Sequence, residues 1–229
     1  MIDEVVDRVC RLAASARRRR RVRVDGPVRV NLGSGPMVRT RGWLNVDASA
    51  HLLVRWLPEP LLRRLLRSTE VGPSWSGALR RERFVFHDLR YGIPLPDGCA
   101  EAIYASHVLE HLPTASARLL LLECRRVVTS SGVVRVVVPT VDEDDDPFAE
   151  GSRYLHTHMS RWDPGSLRRA LSDAGFATVA QVGYRVGRCP ELESLDNRPD
   201  RSLYMEAYPL ASNERSAPSD LTAGVAADA

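Results

Sequence analysis

Apolar residues along the chain fall into two patterns, short continuous runs and runs spaced as on one face of a helix. The continuous runs, bounded by Gly, Pro, Asp or Ser, predict strands at Val28–Leu32, Trp43–Val46, Phe84–Phe86, Ala102–Ala105, Val133–Val138, Thr178–Tyr184 and Ser202–Tyr208. Helical spacing predicts helices near 57–67, 114–128 and 166–174. Strands that are apolar on both faces suit a buried parallel sheet. The predicted fold class is therefore α/β, a Rossmann-like doubly wound sheet, mostly parallel, with helices on both faces.

The two ends of the chain differ from its centre. Ile2, Val5, Val6 and Val9 recur at helical spacing and predict an amphipathic helix leading into the arginine run Arg17–Arg21. From residue 211 the chain is rich in Ala, Ser and Asp and is predicted to be disordered. We expect an N-terminal segment over 1–26, one folded domain over 27–210 and a tail over 211–229.

A glycine turn follows the first predicted strand in Asn31-Leu-Gly-Ser-Gly-Pro36, and the second strand ends in the acid Asp47. Glycines let backbone approach a ligand closely, and a carboxylate at the next strand tip can accept both hydroxyls of a ribose. This order indicates a nucleoside-cofactor site. Gly-Ser-Gly also occurs in ordinary loops, so the turn alone does not decide.

Further motifs follow in a fixed order. They are Phe84-Val-Phe-His-Asp88-Leu, Glu101-Ala-Ile-Tyr-Ala-Ser106, His107-Val-Leu-Glu110-His111-Leu and Leu195-Asp-Asn-Arg-Pro-Asp-Arg-Ser-Leu-Tyr204. Together they resemble the class I S-adenosylmethionine-dependent methyltransferases. Within these, the chain is most similar to a small bacterial branch linked to polysaccharide and glycan synthesis, over about 28–208.

The resemblance implies S-adenosylmethionine as cofactor and an antiparallel strand near the C-terminus. It implies a binding set of Asn31, Gly33, Ser34, Gly35, Asp47, Asp88, Leu89, Ser106 and His107. Asp88 would accept from the adenine amino group, with the Leu89 amide donating to the ring; the alternative for Asp88 is a turn cap. Two departures are that Asn31 replaces the usual acid and that the first crossover is too short for a full helix.

Methyl transfer requires in-line approach of the acceptor, and a sugar hydroxyl needs a base to take its proton. His107 and His111 are the candidate catalytic residues; the alternative is that they pack beside the cofactor or cap the next helix. Asp142, His156 and His158 are predicted to belong to an acceptor loop.

No metal site is predicted. His107-Val-Leu-Glu110-His111 matches a zinc-protease pattern, but that pattern needs a helix, whereas a strand precedes it and Pro113 follows. The acidic run at 142–146 with His156 and His158 is an alternative site for a divalent cation, although such runs are usually solvated loops.

Composition excludes several classes. All 32 basic residues are arginine, so a lysine Schiff base and a lysine P-loop are absent. The four cysteines form no close pair, which favours a reducing cytoplasm over a disulfide framework. No apolar run is long enough for a membrane span, and acids near the N-terminus disfavour a signal peptide.

The Arg17–Arg21 run is either a solvated helix end or a patch for an anionic partner. Because no aromatic residues lie between these arginines, we do not expect the run to bind nucleic acid.

The predicted function is cytoplasmic methyl transfer from S-adenosylmethionine to a sugar hydroxyl of a glycan or glycan precursor. One alternative is an O- or N-methyltransferase for a small secondary metabolite. Another is a non-catalytic nucleoside-binding module. A Rossmann NAD enzyme is disfavoured because the third glycine of its motif is Val38 here.

Overall fold

The computed structural model describes residues 2–19, 21–35, 41–66, 76–140, 158–199 and 201–209. The helices are α1 (Ile2–Arg17), α2 (Ala50–Val54), α3 (Glu59–Leu66), α4 (Ser76–Arg81), α5 (Thr114–Val127), α6 (Pro164–Asp173) and α7 (Leu192–Leu195). The strands are β1 (Val28–Leu32), β2 (Leu44–Asp47), β3 (Arg83–Phe86), β4 (Ala100–Ser106), β5 (Val128–Pro139), β6 (Thr178–Val182) and β7 (Ser202–Tyr208). None of the helices in this part of the chain is long and apolar enough to cross a membrane.

Seven strands form one sheet in the order β3-β2-β1-β4-β5-β7-β6. The first five in this order run parallel, with Val30 opposite Leu44 on one side and Ile103 on the other. β7 is antiparallel to both of its neighbours, β5 and β6. The predicted mostly parallel, doubly wound sheet with an antiparallel C-terminal strand is confirmed.

Element boundaries differ from the prediction in two places. The helix predicted over 57–67 is α3, which begins at Glu59 directly after Pro58, and the five-residue helix α2 before it was not predicted. β5 begins at Val128, directly after α5, and the pairing with β4 shifts register between Ala100 and Ala102. The predicted tail lies outside the described residues, and the predicted domain division stays a prediction.

The main core lies between one face of the sheet and helices α5 and α6. Alternate residues of β5, such as Val134 and Val136, pack there with Leu121 of α5 and Leu167 of α6, all buried. Strand alternation directs the intervening residues to the opposite face. The connection between β6 and β7, over 183–201 and containing α7, covers that second face with Leu192 and Leu195.

A buried ionic cluster attaches this connection to the sheet. Arg135 of β5 is fully buried, and its guanidinium donates to both carboxylate oxygens of Asp196, at 3.1 and 2.5 Å. It also donates to Glu206 at 3.1 Å and to the carbonyls of Gly183 and Val186. Burial alone would lower the pKa of Arg135. Its interactions with the two carboxylates raise that pKa by more than burial lowers it, so the pKa of Arg135 lies above its usual value. Every guanidinium nitrogen of Arg135 thus donates to an oxygen of the cluster or of the backbone.

Glu206 links the same cluster to backbone amides of the connection between β6 and β7. Its carboxylate accepts from the amides of Arg188 and Cys189, at 2.8 and 3.0 Å. Gly187 lies against it with φ +151°, and a Cβ at that position would overlap the carboxylate. Only glycine therefore allows the chain to pass this close to Glu206.

We predict that Asp196→Asn lowers the free energy of unfolding by about 3–5 kcal/mol, because it leaves part of the Arg135 charge buried without its partner. Urea denaturation measures the change. The control is Asp173→Asn, whose exposed ion pair with Arg118 is 3.3 Å long and should be worth less than about 1 kcal/mol. Equal effects of the two substitutions would contradict the importance of the buried cluster.

Candidate functional site

The candidate cofactor residues lie where the parallel strands end. β1 lies between β2 and β4, so the glycine turn after β1 is flanked by Asp47 on one side and by the segment after β4 on the other. Gly33 has φ +62° and Gly35 φ +57°, a region that favours glycine. A Cβ at Gly33 would overlap Val108, which follows β4. The glycine turn and the 107–111 segment are therefore in direct contact.

Asp47 holds the glycine turn in place. One carboxylate oxygen accepts from the Gly35 amide at 2.8 Å and the other accepts from the Ser49 amide at 2.6 Å. The Asp47 carbonyl also accepts from His87 N at 3.0 Å, which connects the turn to the end of β3. Each carboxylate oxygen has a second lone pair, so the side chain can still accept from ribose hydroxyls.

Polar atoms near Asp47 fit a nucleoside. Among the described residues, the buried Ser49 Oγ and His51 Nδ1 have no hydrogen-bond partner. A Cβ at Gly35 would meet nothing within 4 Å, so there is open space above the turn. Burial lowers the pKa of His51 despite the charge of Asp47, which keeps the imidazole neutral near pH 7. Sequence reasoning missed Ser49 and His51, although both lie within four residues of Asp47.

Asn31 is buried and tied to the neighbouring strand rather than free in the site. Its amide nitrogen donates to the Asn45 side chain at 3.2 Å, and Asn45 in turn donates to the Trp43 and Arg83 carbonyls. This chain of bonds joins β1, β2 and β3, and it reaches β3 at that strand's first residue, Arg83. The predicted contact of Asn31 with the methionyl ammonium stays a prediction.

Asp88 caps the 3₁₀ turn Leu89–Tyr91, the alternative that the sequence left open. Its carboxylate accepts from the Arg90 amide at 2.9 Å and from the Arg90 guanidinium at 2.5 Å. Burial alone would raise the pKa of Asp88, but the bonds and charge of Arg90 lower it below its usual value. Asp88 is thus a paired carboxylate, and Leu89 beside it is buried. The adenine contacts of both residues stay predictions.

His107 is fixed at the end of β4 by contacts on both ring nitrogens. Its Nε2 lies 3.1 Å from Ser202 Oγ, at the start of β7, and its Nδ1 lies 3.1 Å from Glu110 Oε1. Its backbone has φ +55°, an uncommon conformation for a residue with a side chain, and its amide donates to the Val137 carbonyl. Ser106, just before it, is half-buried. Ser202 was not singled out by sequence reasoning, because it belongs to a distant strand.

His111 lies near His158, with ring centroids 5.0 Å apart and the rings edge to face. Leu109–His111 forms a 3₁₀ turn rather than an α-helix, so the zinc-protease pattern lacks the helix it needs. Asp142 and His156 of the predicted acceptor loop lie outside the described residues. Of that loop, His158 is the residue that the structure brings to the site.

Comparison with known proteins supports the predicted chemistry. Residues 69–136 match the family model described as a methyltransferase domain. This stretch contains Asp88 and the 107–111 segment, whereas the glycine turn and Asp47 precede it. The match supports an S-adenosylmethionine-dependent methyltransferase activity and that cofactor. No curated protein sequence matches the chain.

Solved structures with a similar fold include two S-adenosylmethionine-dependent methyltransferases. One, from Archaeoglobus fulgidus, is 15% identical with a TM-score of 0.49, and the similarity covers 88% of this chain and 93% of that one. The other, from Thermotoga maritima, is 12% identical with a TM-score of 0.48, covering 82% and 84%. At these values neither likeness carries a functional assignment.

We predict that Gly33→Ala weakens binding of S-adenosylhomocysteine by about tenfold or more, equivalent to about 1.4 kcal/mol, because the new methyl displaces Val108 and the turn. Titration calorimetry measures this affinity. Gly98→Ala is the matched control, since Gly98 has a similar φ of +58° but a Cβ there meets nothing within 4 Å. Both variants share the backbone cost of about 1–2 kcal/mol. A similar affinity in the two variants would refute a special role for the Gly33 contact.

Proposed function

We propose that the protein transfers the methyl group of S-adenosylmethionine to a sugar hydroxyl of a glycan or glycan precursor. The observation that carries the proposal is the contact between the glycine turn, held by Asp47, and the segment that begins with His107. A nucleoside bound at the glycine turn would therefore lie near the candidate base at one edge of the sheet, an arrangement that suits methyl transfer.

The residues of the glycine turn and Asp47 would hold the ribose and methionyl parts of the cofactor, and Asp88 and Leu89 would lie near the adenine. Bound there, S-adenosylmethionine supplies an electrophilic methyl on a sulfonium. The protein's own contribution is to align the acceptor oxygen with that methyl and to exclude water. The buried polar atoms of Ser49 and His51 offer further partners for the ribose.

His107 is the proposed base. The nearby Glu110 carboxylate favours a proton on Nδ1, which leaves Nε2 to accept one, either directly or through Ser202 Oγ. In the transfer the acceptor O–H bond breaks and its proton moves to Nε2, a new C–O bond forms, and the C–S bond breaks. The products are a methyl ether and S-adenosylhomocysteine.

A cleft of about 270 Å³ supports an acceptor with an anionic group. Four arginines line it, Arg18, Arg19, Arg21 and Arg126, together with Glu123 and the buried His87. None of the residues predicted to bind the cofactor lines this cleft. Arginine suits phosphate and carboxylate groups because its guanidinium can donate two parallel hydrogen bonds. Arg126 already donates to Glu123 and Asp97, so the donors for such a group would come from the exposed Arg18 and Arg19. A phosphorylated glycan precursor carries both an anionic group and a hydroxyl.

Acceptor profiling separates the proposed function from its alternatives. Methylation of phosphorylated sugars, with little transfer to small aromatic alcohols or amines, would support the glycan assignment. The reverse profile would indicate a small-molecule methyltransferase. Binding of S-adenosylhomocysteine without transfer to any acceptor would favour the non-catalytic module.

We predict that Asp47→Ala weakens binding of S-adenosylhomocysteine by about 1–3 kcal/mol, the usual cost of losing a buried hydrogen-bonding partner. Calorimetry on the wild type, Asp47→Ala, Asp47→Asn and Asp88→Ala tests the site without knowledge of the acceptor. Asp47→Asn keeps one acceptor oxygen and should lose less affinity. Asp173→Ala, which removes an exposed carboxylate elsewhere, is the control. Unchanged affinity in Asp47→Ala would refute the ribose assignment.

A further inference from the structure

We propose that Glu110, His111 and His158 bind a divalent first-row transition-metal ion, such as Zn²⁺, close to the segment that carries His107. The sequence predicted no metal site, because the His107–His111 pattern lacks the helix of a zinc protease and because the acidic run before His158 is typical of a solvated loop. Metal binding stands on the geometry alone. Its role in activating the acceptor, given below, rests on the proposed methyltransferase function.

The three side chains form a suitable ligand set. One ligand atom from each lies within 4.8 Å of the other two. In tetrahedral coordination, bonds of about 2.1 Å hold two ligand atoms about 3.4 Å apart, so side-chain movements of up to about 1.5 Å close the site. Two imidazoles and one carboxylate with open positions are the donor set of catalytic zinc and of several other transition metals.

Glu110 provides an independent indication of a cation. Its side chain is only 3% exposed, and within the described part of the chain neither carboxylate oxygen has a hydrogen-bond partner. His107 Nδ1 comes within 3.1 Å of Oε1 but does not meet the geometry of a hydrogen bond. Burying a carboxylate without such partners costs several kcal/mol. A bound cation between Glu110 and the two histidines removes this cost.

The backbone holds the two halves of the cluster together. The Glu110 carbonyl accepts from the amides of Met159 and Ser160, at 2.6 and 3.2 Å. Ser160 Oγ donates to the Leu109 carbonyl at 2.9 Å and accepts from the Trp162 indole at 3.0 Å. The segment that carries His158 is therefore fixed to the turn that carries Glu110 and His111. Backbone hydrogen bonds, and not side-chain conformations alone, therefore keep the three ligands close together.

The exposure of the three ligands differs. Glu110 is buried, His111 is half-buried and His158 is exposed, so the open coordination positions of a bound ion would face solvent. Val108, two residues before Glu110, contacts the glycine turn of the candidate cofactor site. The proposed metal site and the candidate cofactor site are therefore close to each other.

Coordination would lower the pKa of the acceptor hydroxyl. Its proton would pass to His107 as the new C–O bond forms and the C–S bond of the cofactor breaks, with the charge of the ion unchanged. Glu110 lies 3.1 Å from His107 Nδ1, so the same carboxylate would bind the metal and orient the base. This arrangement gives His107 and His111 different tasks.

The test is titration of the chelator-treated full-length protein with Zn²⁺, followed by calorimetry, and with Co²⁺, followed by its visible absorption. We expect one equivalent of ion to bind, with Mg²⁺ much weaker because it prefers oxygen ligands. His158→Ala and Glu110→Gln should each weaken Zn²⁺ on the order of 100-fold, since even residues behind a metal's ligands are worth 10–100-fold. His158 is exposed, so its replacement should leave the fold intact.

Asp173→Ala is the control, an exposed carboxylate outside both sites whose loss should leave Zn²⁺ affinity unchanged. Equal Zn²⁺ affinity in the wild type, His158→Ala and Glu110→Gln, or no binding to the wild type, would overturn the site. S-adenosylhomocysteine binding to the same metal-free samples separates the two proposals. Cofactor binding without metal binding would remove the metal site and leave the methyltransferase proposal standing; metal binding without cofactor binding would do the reverse.

Discussion

The pairing of Arg135 with Asp196 and Glu206 is the interaction on which the second face of the sheet depends. The connection between β6 and β7 covers that face with Leu192 and Leu195. A charged cluster can hold such a connection only when every donor and acceptor is satisfied, and here backbone carbonyls and amides complete the pairing. The same connection leads to Ser202, so the cluster also fixes the partner of His107.

Polar side chains that the core cannot accommodate lie at the edge of the sheet where the parallel strands end. Asp47 and Asp88 are satisfied by the turns that they cap, and His107 by contacts with two other segments. Glu110 differs, since its carboxylate is buried without hydrogen-bond partners among the described residues. Fully paired groups shape a site, whereas an unpaired buried charge indicates where a ligand is needed.

The sequence predicted what local pattern determines. Strand runs such as Val28–Leu32 and Ser202–Tyr208, and the turn between Gly33 and Gly35, were recognisable because apolar periodicity and glycine act within a few residues. It did not predict the approach of Ser202 to His107 or of His158 to Glu110, because these pairs depend on how distant strands and loops pack. Nor did it predict the burial of Arg135, since an arginine within a strand is more often exposed.

β4 lies at the middle of the site in chain order. Asn31 to Leu89 precede this strand, Ser106 and His107 lie at its end, and His158 and Ser202 follow it. The contact of Gly33 with Val108 joins the earlier and later residues at the turn. A shift of the 107–111 segment would therefore move the glycine turn through Val108, so the positions of the two segments depend on each other.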